Sequence, residues 1–430
     1  MSGLILLGIF FALVFFNVPI AIALGVASTI FVYLGLSPVP MSVVSQGVIL
    51  GLDNMPLLAV PFFCLAGDIM METGCSKRLI DFCKALLGGI TGGLSYVTVV
   101  ASGIFAAISG SGPATVSCIG SITIPAMVED GYDSPFASSL AACAACLGPI
   151  IPPSVCFIMY GVVCNVSVTD LFTAGFIPGI MMAAALCIYA FFVCKKRGYG
   201  KTEHEEGVAH KDSYFSNLWK AFKEAFFALL MPVIVLGGIY GGICTATEAA
   251  VVACLYTLVV GFFIYRNLTF SSIVKILKNT SITSGTVLIM VATATAFGRV
   301  LTMAGLPKMI ADAITSMSNS RFVVLLLINL FLFIVGMVME SLAAIIILAP
   351  ILLQVVAPYG LNPVHFGIIM TMNLVIGMVT PPVGVNLFVA TRLGKVTITD
   401  MLGDTMKMVG VLLVVLMIIT YVPWFSTVFL

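Results

Sequence analysis

The sequence predicts an all-α protein that crosses a membrane many times. Of its 430 residues, 61% are hydrophobic and 9% are charged, whereas soluble domains carry about 25% charged residues. Apolar stretches of roughly 15 to 25 residues recur from Met1 to Leu430, which is the length that membrane-crossing helices need. Gly, Pro or short charged turns separate these stretches. We therefore expect one polytopic bundle of helices.

The first apolar stretch, from Leu4 to Val14, is interpreted as a membrane helix. It has neither the preceding basic residue nor the following small-residue cleavage site of a signal peptide. The 12 Cys lie mostly singly inside apolar runs, where they pack as small hydrophobic residues and indicate neither disulfides nor a metal site. The net charge of +1 does not suggest a nucleic-acid partner. No organic cofactor is expected, and membrane lipid is the expected surrounding.

Charged residues cluster in the segment 195–224. Its Lys and Arg residues predict a cytoplasmic location under the positive-inside rule. We interpret the segment as a cytoplasmic loop with an amphipathic part, which separates a first half, 1–194, from a second half, 225–430.

The two halves share an ordered set of identical residues. At one separation (298 − 67 = 231), Gly67, Gly74, Lys77 and Asp81 match Gly298, Gly305, Lys308 and Asp312. Further along, Pro152-Pro153 matches Pro381-Pro382 (382 − 153 = 229), and Thr169-Asp170 matches Thr399-Asp400 (400 − 170 = 230). A nearly constant separation indicates an internal duplication, which many membrane carriers have.

The charges favour an inverted relation between the two repeats. If the second half begins in the cytoplasm, the first half and the N-terminus must begin on the outer side. The basic residues Lys77, Arg78 and Lys84 then fall inside after three crossings, as the positive-inside rule requires. The corresponding segment around Lys308 carries fewer cations, as an external segment should.

The first half contains a predicted re-entrant hairpin. Ser95 to Ser109 and Ala114 to Met127 are two apolar helices around the tip Gly110-Ser111-Gly112-Pro113. Each would be roughly 22 Å long, shorter than a ~30 Å hydrocarbon core. Hydroxyls, carbonyls and helix N-terminal amides at such a tip suit a cation and a carboxylate. The alternative is a Ser/Gly-rich contact between ordinary helices.

The corresponding region of the second half, Phe331 to Pro350, carries Glu340-Ser341 in the middle of an apolar run. An acidic residue at that depth is costly and needs a reason. Three interpretations stay open at the sequence level. Glu340 caps the second helix of a matching hairpin, points into a water-filled site, or pairs with a cation such as Arg299 or Arg392.

Two proline pairs interrupt long apolar segments, one in Gly148 to Ser154 and one in Gly377 to Pro382. Adjacent prolines remove two amide donors and break a helix. The carbonyls that this releases need partners inside a membrane, and Na⁺ bound by carbonyls and a hydroxyl such as that of Thr380 would supply one. Matching broken helices are typical of secondary-carrier binding sites. Simple kinks are the alternative.

Three further features carry less weight. Thr245-Ala-Thr-Glu248 at the start of an apolar run is interpreted as a helix cap. Asn165 and Asn386 follow the two proline breaks. Each either faces the site or bonds to a neighbouring helix.

Three motifs resemble the large membrane subunit of tripartite ATP-independent periplasmic (TRAP) transporters: Ser109-Gly-Ser-Gly-Pro-Ala-Thr115, Thr245-Ala-Thr-Glu-Ala-Ala250 and Thr380-Pro-Pro-Val-Gly384. The resemblance covers nearly the whole chain. It implies an elevator carrier of the ion-transporter-superfamily type, with two inverted repeats, two re-entrant hairpins, two broken helices and Na⁺ coupling. The implied substrate is an organic acid such as sialic acid or a C4-dicarboxylate.

The resemblance also implies partners and a location. The partners are a small four-helix membrane subunit (Q type), expected here as a separate chain, and a periplasmic substrate-binding protein (P type). The location is the bacterial inner membrane, crossed many times, with the N-terminus in the periplasm.

These motifs predict the site residues. Substrate contacts are expected at Ser109, Ser111, Ser154, Glu340 and Asn386. Two or more Na⁺ ions are expected at Ser109, Gly110, Ser111, Gly112, Gly148, Ile151, Pro153, Met339, Ser341, Gly377, Thr380 and Pro382.

The repeats divide into fixed and moving parts in the same interpretation. The first is predicted to comprise scaffold helices in 1–72, an arm at 74–86, a transport segment at about 95–165 and a return helix at 170–194. The second is predicted to comprise scaffold helices in 225–289, an arm at 305–318, a transport segment at about 331–392 and a last helix at 400–430.

Other functional classes fit the sequence less well. A self-sufficient Na⁺/organic-acid symporter is the nearest alternative. An intramembrane hydrolase would need Ser109 or Ser111 to pair with His365, or Asp68 to pair with Asp133, and a passive channel would not need paired hairpins. We expect a carrier and not an enzyme.

Overall fold

The computed structural model describes residues 2–16, 18–36, 39–200, 211–306, 309 and 320–430. These residues form helices and connecting turns, and no strand occurs among them. Eight of the described helical segments are long and apolar enough to cross a membrane, from Met55–Glu72 to Ile398–Tyr421. The predicted all-α membrane architecture is therefore confirmed.

The first half contains eleven described helices, several of them short. They are α1 (Ser2–Phe15), α2 (Ile20–Tyr33), α3 (Ser42–Leu52), α4 (Ala59–Glu72), α5 (Cys75–Leu87), α6 (Gly93–Ser109), α7 (Gly112–Thr115), α8 (Ser121–Glu129), α9 (Ser134–Ala144), α10 (Val155–Cys164) and α11 (Val168–Arg197). A π-helical turn at Val116–Gly120 joins α7 to α8, and 3₁₀ turns occur at Met55–Leu58 and Ala145–Leu147.

The second half contains nine described helices. They are α12 (Lys211–Tyr240), α13 (Ala246–Val259), α14 (Phe270–Met303), α15 (Arg321–Val338), α16 (Ser341–Val356), α17 (Pro363–Gly377), α18 (Val385–Gly394), α19 (Ile398–Tyr421) and α20 (Trp424–Thr427). A π-helical turn at Val260–Ile264 follows α13, and a 3₁₀ turn at Ala357–Tyr359 follows α16.

Several bounds differ from those expected from the sequence. Helix α14 runs unbroken for 34 residues to Met303, well past residue 289. The equivalent part of the first half is split before α4 by the 3₁₀ turn Met55–Leu58, in which Pro56 is the second residue. Val287 occupies the matching position of α14 (287 − 56 = 231), so no proline interrupts that helix. Helix α15 begins at Arg321, before the expected Phe331. Most of the predicted arm 305–318 lies outside the described residues.

Helix α14 is the central support of the bundle. It packs against α2, α3 and α4, and small residues bring the backbones together. A Cβ added at Gly47 would lie 2.6 Å from the Cα of Ala296, which shows how close α3 and α14 are. Close approach of small residues is a usual means of helix association in membranes.

Helix α5, which covers most of the predicted first arm, packs against the second half. It packs along α12, where the rings of Phe82 and Phe222 lie 5.9 Å apart. The guanidinium of Arg78 lies 3.7 Å from the ring centre of Tyr265, a cation–π contact. These contacts attach the arm to the helices that follow the charged loop.

Local geometry recurs at the predicted repeat separation. Helices α10 and α18 each have ten residues and end at left-handed residues, Asn165 (φ 54°) and Lys395 (φ 52°). The next helices are capped by Ser167 and Thr397, whose hydroxyls accept bonds from the third following amide. Asn165 is thus the residue that ends α10. The orientation of the two halves across the membrane stays a prediction.

Candidate functional site

The tip of the first hairpin is a compact polar turn. Helix α6 ends at Ser109, Gly110 adopts φ 58°, and α7 begins at Gly112. The hydroxyl of Thr115 donates to the carbonyl of Ser111 at 2.7 Å and lies 3.1 Å from the hydroxyl of Ser109. The predicted helix–tip–helix arrangement is present, with the tip where the sequence indicates it.

This tip lies directly on the first broken helix. A Cβ at Gly148 would lie 2.7 Å from the carbonyl oxygen of Ser111, and a Cβ at Gly110 would lie 3.0 Å from that of Pro153. Two backbones approach this closely only because the side chain is missing at these positions. The glycines therefore seat the tip against the break.

The second tip has a different shape. Helix α15 ends at Val338, Met339 and Glu340 are extended, and α16 begins at Ser341. The Glu340 side chain makes no capping bond, and no described Arg or Lys lies within 4.0 Å of its carboxylate. The capping role and the pairing with Arg299 or Arg392 are therefore wrong. The side chain is exposed towards a cavity, as the remaining interpretation predicts.

The second tip also lies on its own broken helix. A Cβ at Gly377 would lie 2.8 Å from the amide nitrogen of Met337. The amide of Val383, within the second break, donates to the carbonyl of Met337 at 3.3 Å. Both hairpins thus contact their own break through main-chain atoms.

Two further contacts cross between the halves, each joining a tip to the broken helix of the other half. At the first, a Cβ at Gly112 would lie 3.0 and 3.1 Å from Nδ2 and Oδ1 of Asn386. At the second, Cys156 Sγ lies 3.6 Å from Ser341 Oγ. The positions correspond in the repeat (386 − 156 = 230). We call Gly112 with Asn386 the amide junction, and Ser341 with Cys156 the thiol junction.

The amide junction contains an unsatisfied polar group. Asn386 is fully buried, and within the described part of the chain neither its Oδ1 nor its Nδ2 has a hydrogen-bond partner. The carbonyl oxygen of Ala145 lies 3.4 Å from the same ideal Cβ of Gly112. Buried polar atoms without partners are rare and costly. The junction is therefore suited to an additional ligand.

A cavity of about 370 Å³ lies between the two tips and α14; we call it the tip cavity. Its size falls within the roughly 300 to 1,000 Å³ typical of small-molecule sites. Predicted site residues that line it are Ser109, Gly110, Ser111, Gly112, Glu340 and Ser341. The structure thus brings residues from both predicted hairpins to one cavity.

Other predicted site residues are engaged in the breaks themselves. The Ser154 hydroxyl donates to the carbonyl of Pro149 at 2.5 Å and accepts from the amide of Phe157 at 3.2 Å, so it caps α10. The Thr380 hydroxyl donates to the carbonyl of Ile376 at 3.0 Å. Both are buried. In each break, at least one backbone carbonyl therefore already accepts a hydrogen bond from a side chain of the protein.

Two further predicted ion ligands of the first break, Pro153 and Ile151, differ in position. Pro153 contributes the carbonyl against Gly110, whereas the side chain of Ile151 packs towards Gly103 and Gly179. The bonds Pro152–Pro153 and Pro381–Pro382 are both cis.

The sequence interpretation missed the α14 wall of the cavity. Ile282, Thr283, Thr286, Val287 and Met290 line it opposite the tips. Hydroxyl residues at 280, 283, 284 and 286 inside an apolar helix were the available signal, because they occupy neighbouring turns of one helix.

The rival interpretations lack the required pairs. His365 Nδ1 lies 2.6 Å from the hydroxyl of Ser426, so its partner is neither tip serine. Asp68 accepts from the Thr280 hydroxyl at 2.5 Å, whereas Asp133 accepts from Tyr199. The described residues contain no group of three His, Cys, Asp or Glu that would suit a metal ion.

Thr245 and Glu248 form the predicted cap. The Thr245 amide donates to Glu248 Oε2 at 2.8 Å, and the Glu248 amide donates to Thr245 Oγ1 at 3.3 Å. This reciprocal capping box starts α13. The structural interpretation of the motif is confirmed.

Comparison with known proteins shows similarity along the whole chain. Residues 7–425 match the family described as tripartite ATP-independent periplasmic transporter, DctM component. The chain is 42% identical to the isethionate TRAP transporter permease protein DctMQ of Oleidesulfovibrio alaskensis, over 97% of this chain and 65% of that protein. It is 39% identical to the sialic acid TRAP transporter large permease protein SiaM of Vibrio cholerae, over 96% of this chain and 95% of that protein.

A third relative extends the range of named substrates. The C4-dicarboxylate TRAP transporter large permease protein DctM of Rhodobacter capsulatus is 34% identical, over 99% of this chain and 98% of that protein. These relatives are named as permeases, not as enzymes.

Two solved structures share the fold at low sequence identity. The YdaH transporter of Alcanivorax borkumensis matches with a TM-score of 0.61 at 14% identity, over 90% of this chain and 89% of that chain. MtrF of Neisseria gonorrhoeae matches with a TM-score of 0.62 at 12% identity, over 88% of this chain and 84% of that chain. Both likenesses concern the fold alone.

Proposed function

The chain belongs to the DctM family, the large permease component of tripartite ATP-independent periplasmic transporters, and we propose that it carries a small organic acid across the bacterial inner membrane together with Na⁺. The observation that carries the proposal is the tip cavity, where both hairpin tips and the start of α10 meet the wall of α14. Such a site, built from broken and re-entrant helices, is the usual arrangement of secondary carriers.

The substrate is a small acid of the kind named for the relatives: sialic acid, a C4-dicarboxylate or the sulfonate isethionate. Support comes from the helix N-termini at the cavity. Helices α10 and α16 begin at Val155 and Ser341, which both line it. The N-terminus of a helix carries partial positive charge and free amides, which favour an anion. Serine and threonine hydroxyls beside them donate further hydrogen bonds.

The residues of the amide junction fit Na⁺. Asn386 Oδ1 and the carbonyl of Ala145 lie beside Gly112, and hard cations take such oxygen ligands. Asn386 has the unpartnered oxygen that such an ion would satisfy. A second, more open position lies at Glu340 and Ser341 of the second tip. Bound Na⁺ supplies positive charge next to the acid, since no Lys or Arg is among the described residues that line the tip cavity.

The hairpins and broken helices move as one body against α14 in this proposal. Main-chain contacts join each tip to its break, and the two junctions join the halves. At the tip cavity this body faces residues of α14, such as Thr283 and Thr286, across open space. The close main-chain contacts between the tips and the breaks resist sliding more than the open face towards α14 does. The boundary of the moving body therefore lies at α14. The halves are inverted repeats, and the N-terminus is periplasmic.

A periplasmic binding protein delivers the acid, and a small membrane subunit supports the scaffold. This part of the proposal rests on the family, whose transporters are tripartite. The long apolar helices leave large side chains such as Phe263 and Val233 exposed, which favours contact with lipid or a membrane partner.

Uptake into proteoliposomes that contain the permease and both partners tests the proposal. We expect uptake of the transported acid with a Na⁺ gradient and none when K⁺ replaces Na⁺. Equal uptake in both media would overturn the coupling. The permease alone should be inactive, and strong uptake without partners would favour the self-sufficient symporter. Thr380→Val keeps the shape of the side chain and should change Na⁺ dependence only if the Thr380 hydroxyl contacts the ion.

A further inference from the structure

A second cavity lies along the same groove as the tip cavity. It has a volume of about 430 Å³ and is lined by the polar residues Asn54, Thr295, Arg299 and Thr302 and by apolar residues of α10 and α16. We call it the Arg299 cavity. Its volume is larger than the roughly 370 Å³ of the tip cavity, so it can hold the same small molecules.

Three helices line both cavities. Helix α10 contributes Val155 and Cys156 to the tip cavity and Val162 and Val163 to the Arg299 cavity. Helix α16 contributes its first two residues to one and Ile346 and Pro350 to the other. On α14 the two linings are centred about 13 residues apart, or roughly 20 Å at 1.5 Å per residue. The cavities are therefore two positions on one groove between α14 and the helices α10 and α16.

Arg299 is a cation without an acidic partner in this groove. Among the described residues, no carboxylate lies within 4.0 Å of its guanidinium, and the side chain is exposed. The matching residue of the first half (299 − 68 = 231) is Asp68, which is bonded to Thr280. Ionisable residues in membrane helices commonly face a water-filled cavity and mark a substrate or ion pathway, and Arg299 lines such a cavity.

The chemistry of a guanidinium restricts what that partner is. Its planar set of donors matches the paired oxygens of a carboxylate, and also those of a sulfonate or phosphate. Two sources supply such a group here: the transported acid and the phosphate of a lipid. Asn54, Thr295 and Thr302 add polar groups to the cavity besides the guanidinium of Arg299. A soluble acid with several polar groups can use them, whereas a lipid phosphate needs only the guanidinium. The lining therefore favours the transported acid.

We propose that the Arg299 cavity is a second binding site for the transported acid, which Arg299 holds through its acid group at the end of α14 away from the tip cavity. The inference rests on the proposed function. It also supplies the fixed cation for anion recognition that the tip cavity lacks among its described lining residues. The acid then passes between Arg299 and the helix N-termini of the tip cavity as the moving body changes its position along α14.

Uptake kinetics in the complete three-component transporter test the role of Arg299. Arg299→Gln should raise the half-saturating concentration of the acid by roughly tenfold or more, the effect of losing a charge-assisted bond. Arg299→Lys should restore part of it, because the charge remains. Arg266→Gln, an exposed Arg before the other end of α14, is the matched control and should change little. Unchanged acid dependence in Arg299→Gln, with full Na⁺ dependence, would overturn this inference alone.

A labelling experiment separates the acid from a lipid. Thr302→Cys places a thiol in the Arg299 cavity, and the parent chain with its 12 native Cys serves as the blank. In a phosphate-free non-ionic detergent without Na⁺, isethionate, succinate and N-acetylneuraminate are tested separately for slowing of maleimide labelling. We expect one of them to slow it in the Arg299 background and not in Arg299→Gln. Slowing by added phosphatidylglycerol, with none by any acid, would assign the cavity to lipid and overturn the proposal.

Discussion

The amide junction and the thiol junction occupy matching positions in the two halves but differ in chemistry. At both, a residue near the start of the helix after a proline break touches the tip of the opposite hairpin. Asn386 brings an amide without a described partner, whereas Cys156 meets the hydroxyl of Ser341 at 3.6 Å. Amide oxygens suit a hard cation, while sulfur is a soft ligand.

The proline breaks next to these junctions also differ in how far their polar groups are bonded within the protein. Ser154 caps α10 with its side chain and also bonds the carbonyl of Pro149. At the corresponding place before α18 stands Gly384 (φ 57°), which has no side chain to cap with. The first break is thus satisfied internally, while the second leaves more polar groups for ligands. The two halves share this local geometry, and single residues within it decide which polar groups each break presents.

Among the variants that test this difference, Asn386→Leu should have the largest effect on Na⁺-dependent uptake. It removes the amide oxygen and keeps the branched skeleton of the side chain with somewhat more bulk, and we expect Na⁺-dependent uptake to fall at least roughly tenfold because a buried ion ligand is lost. The gain from removing an unpartnered buried polar group opposes the crowding by the larger Leu, so the apparent melting temperature should change little. Uptake against Na⁺ concentration and a thermal melt of the purified chain measure both effects.

Cys156→Ala is the matched control at the thiol junction. Its Na⁺ dependence should stay within about twofold of the parent, since no hard-cation ligand is removed. Equal losses in the two variants would show that the junctions share one role, contrary to the contrast drawn between them.

Gly112→Ala should produce a smaller defect at the same junction. The new methyl group would lie 3.0 Å from Asn386 Nδ2, and crowding of this kind costs about 1 kcal/mol or more. The half-saturating Na⁺ concentration should rise by about fivefold. Gly120→Ala in the same hairpin is the control, since its methyl group would meet apolar side-chain atoms of Leu393, Ile124 and Ala141 at 3.3 to 3.6 Å and no polar group. A Gly112→Ala variant with parental Na⁺ affinity would exclude an ion at this position.

Ser154→Ala should affect stability rather than coupling. It deprives the carbonyl of Pro149 and the amide of Phe157 of a buried partner, at a cost of about 2 kcal/mol. Transport per folded molecule should persist, because the hydroxyl caps α10 and does not line the tip cavity. Uptake normalised to folded protein, with the apparent melting temperature beside it, tests this. Loss of acid affinity without loss of stability would support the predicted contact of Ser154 with the substrate.

The sequence predicts the local parts of this site and misses how they meet. Gly110 and Pro113 locate the first tip, because short-range turn chemistry depends on neighbouring residues. The cap at Ser154 is also local, because a Ser before an apolar helix is a common N-cap. Because Ser154 is assigned to the substrate at the sequence level, its role as a cap is missed there. The contact of Gly112 with Asn386 joins residues far apart in the sequence, so no spacing rule indicates it.

The long helix α14 illustrates the limit of reasoning from a repeat. Symmetry favours a break in the second half wherever the first has one, as before Met55. The matching position carries Val287 in place of Pro56, and a helix continues where its amide donors remain. Comparing the two halves for missing prolines, and not only for identical residues, would have predicted the unbroken helix and hence the wall of the tip cavity.

The smallest effect is expected at the caps of the two helices that end the repeats. Thr397 forms a reciprocal box in which its amide donates to Asp400 at 2.9 Å and the Asp400 amide donates back at 3.3 Å. Ser167 accepts only the Asp170 amide, at 3.2 Å. Thr397→Ala therefore should cost about 1 kcal/mol and Ser167→Ala about half of that. Both caps lie away from the tip cavity, so neither variant should alter Na⁺ or acid dependence. Thermal melts of the two variants measure the difference, and a larger loss for Ser167→Ala would contradict the role given to the second bond. Because these positions correspond in the repeat, the pair compares one cap geometry with and without its reciprocal bond inside a single chain.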